Sequence, residues 1–140
     1  MTRILVDCPR CGGLAVITLD VDEGTEAIGW AVPRHHGARR AVCTACAFSR
    51  RQGWRSWARP TMGLPLRLRG TGRQGLLAAY NEDHLAYIEA YVRDPLRREA
   101  GAPGGFRNAS IASRLPRWVK AAHNRAEVLK LIARMRSRLA

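Results

Sequence analysis

The sequence predicts an α+β fold, in which short antiparallel strands come first and a small helical part follows. Residues 1–60 carry short β-branched and alternating apolar runs, which favour strands. From Asn81 onward, apolar residues recur at helical spacing. Four cysteines stand as two close pairs within the strand-like part. A chain of 140 residues suits one domain or two small ones.

The strand predictions begin at "LAVIT" (14–18), an apolar run rich in β-branched residues. Ile28, Trp30 and Val32 alternate at period two and predict a second strand. The polar segment "DVDEGTE" (20–26) between them favours a hairpin tip, so we expect a β-hairpin standing on the first cysteine pair. "PRHHGARR" (33–40) then predicts a loop that leads into the second pair.

A proline- and glycine-rich segment, "RPTMGLP" (59–65), predicts a boundary between residues 1–60 and residues 61–140. The second part begins with "LPLRLRGTGRQGLLAAY", whose glycines match the dinucleotide fingerprint GxGxxG. That fingerprint requires a long buried strand before it, and here Arg67 and Arg69 interrupt the run. A short β-hairpin or loop is the better interpretation.

Helix signals dominate the rest of the chain. Asn81 is a good N-cap, and a stripe of Leu85, Ile88 and Val92 follows it. Pro95 either kinks this helix or starts a second one, and "GAPGG" (101–105) breaks the pattern. Either Ser110 or Asn108 is expected to cap a short turn through Leu115.

Two further helical segments are predicted near the C-terminal end. Pro116 can open a segment that carries Trp118 and Val119. "NRAE" (124–127) has the form of a capping box, with Asn124 at the cap and Glu127 three residues later. One apolar face of a final helix would then consist of Val128, Leu131, Ile132, Met135 and Leu139.

The cysteines form the pattern C-x2-C, 31 residues, C-x2-C, from Cys8, Cys11, Cys43 and Cys46. Two such tight turns can supply the four thiolates of one structural Zn²⁺ site with no open coordination position. Gly12 and Gly13 would help the first turn. A redox pair or an iron–sulfur cluster is the alternative, and His35 or His36 could replace a cysteine as a ligand.

The charge is strongly basic, at +13, and unevenly spread. Residues 101–140 hold nine cations and a single acid, whereas residues 1–50 hold six cations and five acids. Such an excess favours polyanions. Because 22 of the 24 cations are Arg, genomic composition bias is an alternative explanation for the choice of Arg over Lys.

Two segments are candidate nucleic-acid contacts. In "SRRQGWRSW", cations that can bind phosphates alternate with rings that can stack on bases. On the final helix, cations at i, i+4 and i+8 form a basic stripe. The candidates are Arg50, Arg51, Trp54, Arg55, Trp57, Lys130, Arg134 and Arg138. The alternative is that the tryptophans are core residues and the late arginines complement the helix dipole.

Two cysteine knuckles joined by a hairpin resemble the zinc ribbons typified by transcription factor IIB. Followed by "AYNEDHLAYIEAYV" and "SRLPRWVKAAHNRAEVLKLIARM", the arrangement resembles a bacterial group of zinc-ribbon proteins of the factor IIB type. The resemblance covers a ribbon over about residues 1–58 and helices over about residues 79–139. It implies zinc binding, whereas ribbons bind DNA, RNA or protein.

These observations predict a cytoplasmic zinc-ribbon protein that binds nucleic acid or a ribonucleoprotein. The alternative is an adaptor that docks on RNA polymerase, the ribosome or a helicase, favoured by the acidic residues of the expected hairpin tip: Asp20, Asp22, Glu23 and Glu26. No histidine or carboxylate spacing indicates a catalytic site, so we do not expect an enzyme. The sequence also has no apolar segment long enough to span a membrane.

Overall fold

A computed structural model describes residues 3–19, 39–52, 61–95 and 115–139. The strands in these residues are β1 (Arg3–Asp7), β2 (Leu14–Leu19), β3 (Arg39–Cys43), β4 (Ser49–Gln52), β5 (Leu68–Thr71) and β6 (Leu76–Ala79). The helices are α1 (Glu82–Arg93), α2 (Arg117–Lys120) and α3 (Arg125–Ser137), with a 3-10 turn over Ala122–Asn124 before α3. The predicted α+β class is confirmed.

The first four strands form an antiparallel sheet in the order β1-β2-β3-β4. One face buries Ile4, Ile17 and Ala41 against Met62 and Leu64, from the segment that follows the sheet. The other face presents Leu5 to the core built by the helices and the second sheet, and Leu14 and Val16 pack against the same core. The sheet is therefore covered on both faces over much of β1 and β2.

The sequence interpretation missed β1 because of this double coverage. Ile4, Leu5 and Val6 are consecutive, and all three are at most 1% exposed. A strand buried on both faces has a continuous apolar run and lacks the alternation that identifies a half-buried strand. The structure also corrects the predicted loop over residues 33–40, because Arg39 and Arg40 begin β3 and pair with β2.

The outer edge of β1 is covered by residues from the second half of the chain. The Leu5 amide donates to the Tyr80 carbonyl at 2.8 Å, and the Asp7 amide donates to the Pro65 carbonyl at 2.9 Å. The Arg67 amide returns a bond to the Leu5 carbonyl at 2.9 Å. These bonds join residues on opposite sides of the expected boundary near residue 60, and the division into two parts stays a prediction.

The glycine-rich segment forms an antiparallel hairpin, as predicted, with Gly70 opposite Leu77 and Thr71 opposite Leu76. The turn is closed by a bond of 2.9 Å from the Gly72 amide to the Gly75 carbonyl. Gly75 has a φ of +150°, a backbone conformation that other residues rarely adopt. These glycines therefore shape a tight turn and a close packing contact, described below.

Helix α1 begins as predicted. The Asn81 Oδ1 accepts from the His84 amide at 2.9 Å, and the Asn81 Nδ2 donates to the Arg3 carbonyl at 2.9 Å. The same cap thus also attaches the helix to β1. The stripe of Leu85, Ile88 and Val92 is fully buried, and the helix ends at Arg93, before Pro95.

Helix α2 begins directly after Pro116, as predicted, and α3 begins at Arg125. Asn124 is the N-cap residue of α3, as predicted, but its side chain makes no capping bond to the helix, so the predicted capping box does not form. The Asn124 Nδ2 donates to the Trp118 carbonyl at 2.9 Å, and Glu127 instead accepts from the Arg73 amide at 3.1 Å. Tertiary partners therefore replace the local reciprocal bonds.

The apolar face of α3 is confirmed: Val128, Leu131, Ile132 and Met135 are buried, and Leu139 packs at their edge. Several predictions lie outside the described residues: the hairpin tip with Asp22 and Glu23, the alternation over residues 28–32, and the cap at Asn108 or Ser110. None of the helices in the described ranges has the length and apolar character needed to cross a bilayer.

Candidate metal centre and basic surface

The first cysteine pair lies on the turn that joins β1 to β2. The Cys8 amide donates to the Gly13 carbonyl at 2.8 Å, and the Gly12 amide donates to the Cys8 carbonyl at 2.9 Å. Gly12 has a φ of +74°, so the chain reverses there at a position that favours glycine. Each sulfur accepts a hydrogen bond of 3.4 Å from a backbone amide: Cys8 from Arg10, and Cys11 from Gly13.

The second pair lies on the equivalent turn between β3 and β4. The Cys43 amide donates to the Phe48 carbonyl at 3.0 Å. The Cys43 sulfur accepts from the Ala45 amide at 3.3 Å, and the Cys46 sulfur accepts from the Phe48 amide at 3.4 Å. Each of the four sulfurs thus accepts a bond from the amide two residues later, which stabilises its thiolate form.

Pairing of β2 with β3 brings the two turns together. Ala15 pairs with Cys43 in the register. One residue further on, both the amide and the hydroxyl of Thr44 donate to the Leu14 carbonyl at 2.9 Å. The four sulfur atoms consequently lie within 4.8 Å of one another.

The distances between these sulfurs fit a tetrahedral metal site. The Cys8 and Cys46 sulfurs are 3.7 Å apart, and the Cys11 and Cys43 sulfurs are 3.6 Å apart. Four thiolates at about 2.3 Å from a zinc ion in tetrahedral geometry are separated by about 3.8 Å. A disulfide requires about 2.05 Å, so these pairs are not disulfide bonds. The four cysteines therefore form one candidate metal site, as their spacing predicts.

The pKa values of two of the cysteine thiols are shifted in opposite directions. The hydrogen bond from the Ala45 amide is the main cause that lowers the pKa of Cys43 to about 6. The hydrogen bond from the Phe48 amide lowers the pKa of Cys46, but desolvation and the three neighbouring sulfurs together outweigh it and raise that pKa to about 12. The first thiolate forms readily, and its negative charge makes ionisation of the next thiol less favourable. A divalent cation would neutralise this repulsion, so the four sulfurs suit a metal held by thiolates.

A charged cluster beside the first turn links it to α3. Arg67 donates to the Asp7 carboxylate at 2.9 Å, to the Gly12 carbonyl at 3.2 Å and to the Arg138 carbonyl at 3.1 Å. Arg69 and Arg138 also contact Asp7. Burial alone raises the pKa of Asp7, but the bonds from Arg69 and Arg67 outweigh it and hold that pKa below its ordinary value.

The structure separates the predicted nucleic-acid residues into several groups. Arg50 and Arg51 are exposed on β4, where the Arg50 guanidinium lies 5.4 Å from the centre of the Phe48 ring. Lys130 and Arg134 are exposed on α3, whereas Arg138 is partly buried and contacts Asp7 at 3.5 Å. Trp54, Arg55 and Trp57 lie outside the described residues, as do His35 and His36.

Two cations that lie beside the predicted nucleic-acid residues, Arg40 and Arg73, were not predicted from the sequence. Arg40 lies directly opposite Arg51 in the pairing of β3 with β4, so these side chains share one face of the sheet. Arg73 lies in the β5–β6 turn and lines a groove together with Lys130 and Arg134. For Arg73 the available signal was its place between Gly72 and Gly75 in the segment predicted to form a hairpin, where a side chain is expected to be exposed.

No protein-family model, curated protein or solved structure matches this chain. The resemblance to zinc-ribbon proteins of the factor IIB type therefore stays a prediction.

Proposed function

We propose that this protein binds nucleic acid or a ribonucleoprotein through arginine-rich surfaces, on a scaffold held by one structural zinc ion and without catalysis of its own. Cys8, Cys11, Cys43 and Cys46 would hold the zinc. The metal would cross-link the β1–β2 turn to the β3–β4 turn, and four thiolates would leave no position for a substrate.

The observation that carries the proposal is the imbalance between cations and acids on the described surface. Acidic side chains in the described ranges that form ion pairs already have arginine partners: Asp7 has three, Glu89 has two and Glu82 has Arg3. Within those ranges, the exposed cations on β3, β4, the β5–β6 turn and α3 with no acidic side chain in ion-pair distance include Arg40, Arg50, Arg51, Arg73, Lys130 and Arg134.

The facing pair on β3 and β4 supports the same conclusion. Like charges directly opposite each other on two strands are destabilising, and Arg40 and Arg51 are both exposed in this arrangement. A phosphate placed between the two guanidiniums would remove their repulsion. This facing pair of arginines does not stabilise the sheet, whereas it would favour the binding of an anionic partner.

The test is binding to fluorescently labelled single-stranded and duplex nucleic acid, of both DNA and RNA, over a salt series from about 50 to 200 mM. We expect binding that weakens steeply with salt and varies little with base sequence, because phosphate contacts release counterions. Affinity that does not depend on salt would exclude the phosphate mechanism. Retention on a protein complex after nuclease treatment would instead indicate an adaptor.

A further inference from the structure

A basic groove lies between the β5–β6 turn and helix α3. It is lined by Thr71, Gly72, Arg73, Glu127, Lys130 and Arg134. Three of these side chains are cationic and one is acidic, so the groove has a net positive charge. Arg73, Lys130 and Arg134 are all exposed, and none of them has an acidic side chain in ion-pair distance among the described residues.

The one carboxylate in the groove already has a structural partner. Glu127 Oε1 accepts a bond of 3.1 Å from the Arg73 amide, which fixes the turn against the first part of α3. Its charge is therefore partly compensated by a backbone donor. The cations of the turn and of α3 remain available on the walls of the groove.

Glycines allow the two walls to approach each other. A Cβ atom on Gly70 would lie 2.6 Å from Leu131 Cδ1, and one on Gly72 would lie 3.3 Å from Glu127 Oε1. The backbone of β5 consequently rests directly on α3. This contact brings the Arg73 turn to the same side as the basic residues of the helix.

The basic character continues beyond the groove along α3. Lys130, Arg134 and the C-cap residue Arg138 recur at i, i+4 and i+8, which keeps them on one stripe over about 12 Å. At the far end Arg138 joins Arg67 and Arg69 around Asp7. Positive charge from β5 and from α3 therefore follows the same line.

We propose that this groove holds the phosphate backbone of a nucleic acid, with Arg73, Lys130 and Arg134 as the contacting cations. The inference rests on the proposed function and assigns it to a particular place. No aromatic side chain is among the lining residues of the described groove, so contacts there are to phosphates and not to bases. The groove thus contributes affinity without base specificity.

The experiment compares two variants that lose the same charges. The groove variant is Lys130→Gln with Arg134→Gln, and the control is Lys120→Gln with Arg117→Gln on α2, outside the groove. The probe is a labelled homopolymer strand of about 20 nucleotides, long enough to span one binding site. Circular dichroism and zinc content show that each variant keeps the fold.

Counterion release sets the expected size of the effect. For a single strand, each lost phosphate contact lowers the slope of log affinity against log salt by about 0.7, so the groove variant should lose about 1.4. At about 0.15 M salt this corresponds to an affinity roughly 14-fold weaker, with a change of less than about threefold for the control. Arg73→Gln alone should weaken binding about fourfold.

A fourth variant separates a direct contact from a structural role. Glu127→Gln keeps an oxygen that accepts from the Arg73 amide and removes a negative charge from the groove, so we expect it to tighten binding severalfold. Equal losses in the groove variant and the control would overturn the groove assignment and leave the proposed function in place. Absence of binding by the wild-type protein would overturn both.

Discussion

Substitution of Gly70 by alanine tests the packing of α3 on β5, on which the basic groove depends. The new Cβ would lie 2.6 Å from Leu131 Cδ1 and 3.1 Å from Met135 Cγ. Carbon atoms pack best at about 3.5 to 4.0 Å, so the first contact is short by about 1 Å. Leu131 and Met135 are at most 1% exposed, and neither can move into solvent.

The expected loss follows from two opposing terms. Overpacking of a core destabilises by about 1 to 3 kcal/mol. Replacement of glycine by alanine within a strand stabilises the fold by about 0.5 to 1 kcal/mol, because alanine loses less conformational entropy on folding. We therefore expect Gly70→Ala to lower the free energy of unfolding by about 1 to 2 kcal/mol, measured by urea denaturation of the zinc-loaded protein.

Two companion variants make the interpretation specific. Gly72→Ala meets its nearest atom at 3.3 Å, in a carboxylate that can shift, and should change the stability by less than about 0.5 kcal/mol. Gly70→Ala combined with Leu131→Ala should be about 1 kcal/mol more stable than the sum of the single changes, because the new methyl group occupies vacated space. A stabilising effect of Gly70→Ala alone would refute the described packing.

Two further predictions concern the metal site and a buried histidine. Cys43→Ser, or a chelator, should remove the contribution of the bound zinc to folding, which is on the order of 10 kcal/mol, and so unfold the four-stranded sheet. Circular dichroism measures the unfolding. An unchanged melting curve after complete metal removal would contradict this prediction. Burial lowers the pKa of His84 from 6.5 to about 4, so stability is fully present above about pH 6.5 and is lost as the pH falls toward 4. Between about pH 7 and pH 5, the free energy of unfolding should fall by about 2 kcal/mol more in the wild type than in His84→Gln. Parallel curves of unfolding free energy against pH for the two proteins would contradict this prediction.

The sequence predicted the cluster of four cysteines because its signal is local. Two residues between cysteines define each turn, and the amide bonds to sulfur arise within that turn. The start of α1 was equally local, since the Asn81 side chain caps the amide three residues later. Features decided by neighbours in sequence are the ones that composition and spacing reveal.

The sheet and the α3 cap were harder to predict because distant partners decide them. β1 is buried by residues from both halves of the chain, and its apolar run has no alternation. Asn124 and Glu127 form bonds with Trp118 and Arg73 instead of with each other. The basic groove was missed for the same reason, because its walls are 54 or more positions apart where Arg73 meets α3.

X-ray absorption at the zinc edge, on protein purified without added metal, shows whether the four cysteines form a closed zinc site. We expect one zinc per chain, with four sulfur neighbours at about 2.3 Å and no nitrogen or oxygen neighbour. Well below one zinc per chain, or a shell that contains nitrogen or oxygen, would contradict a closed structural site formed by Cys8, Cys11, Cys43 and Cys46.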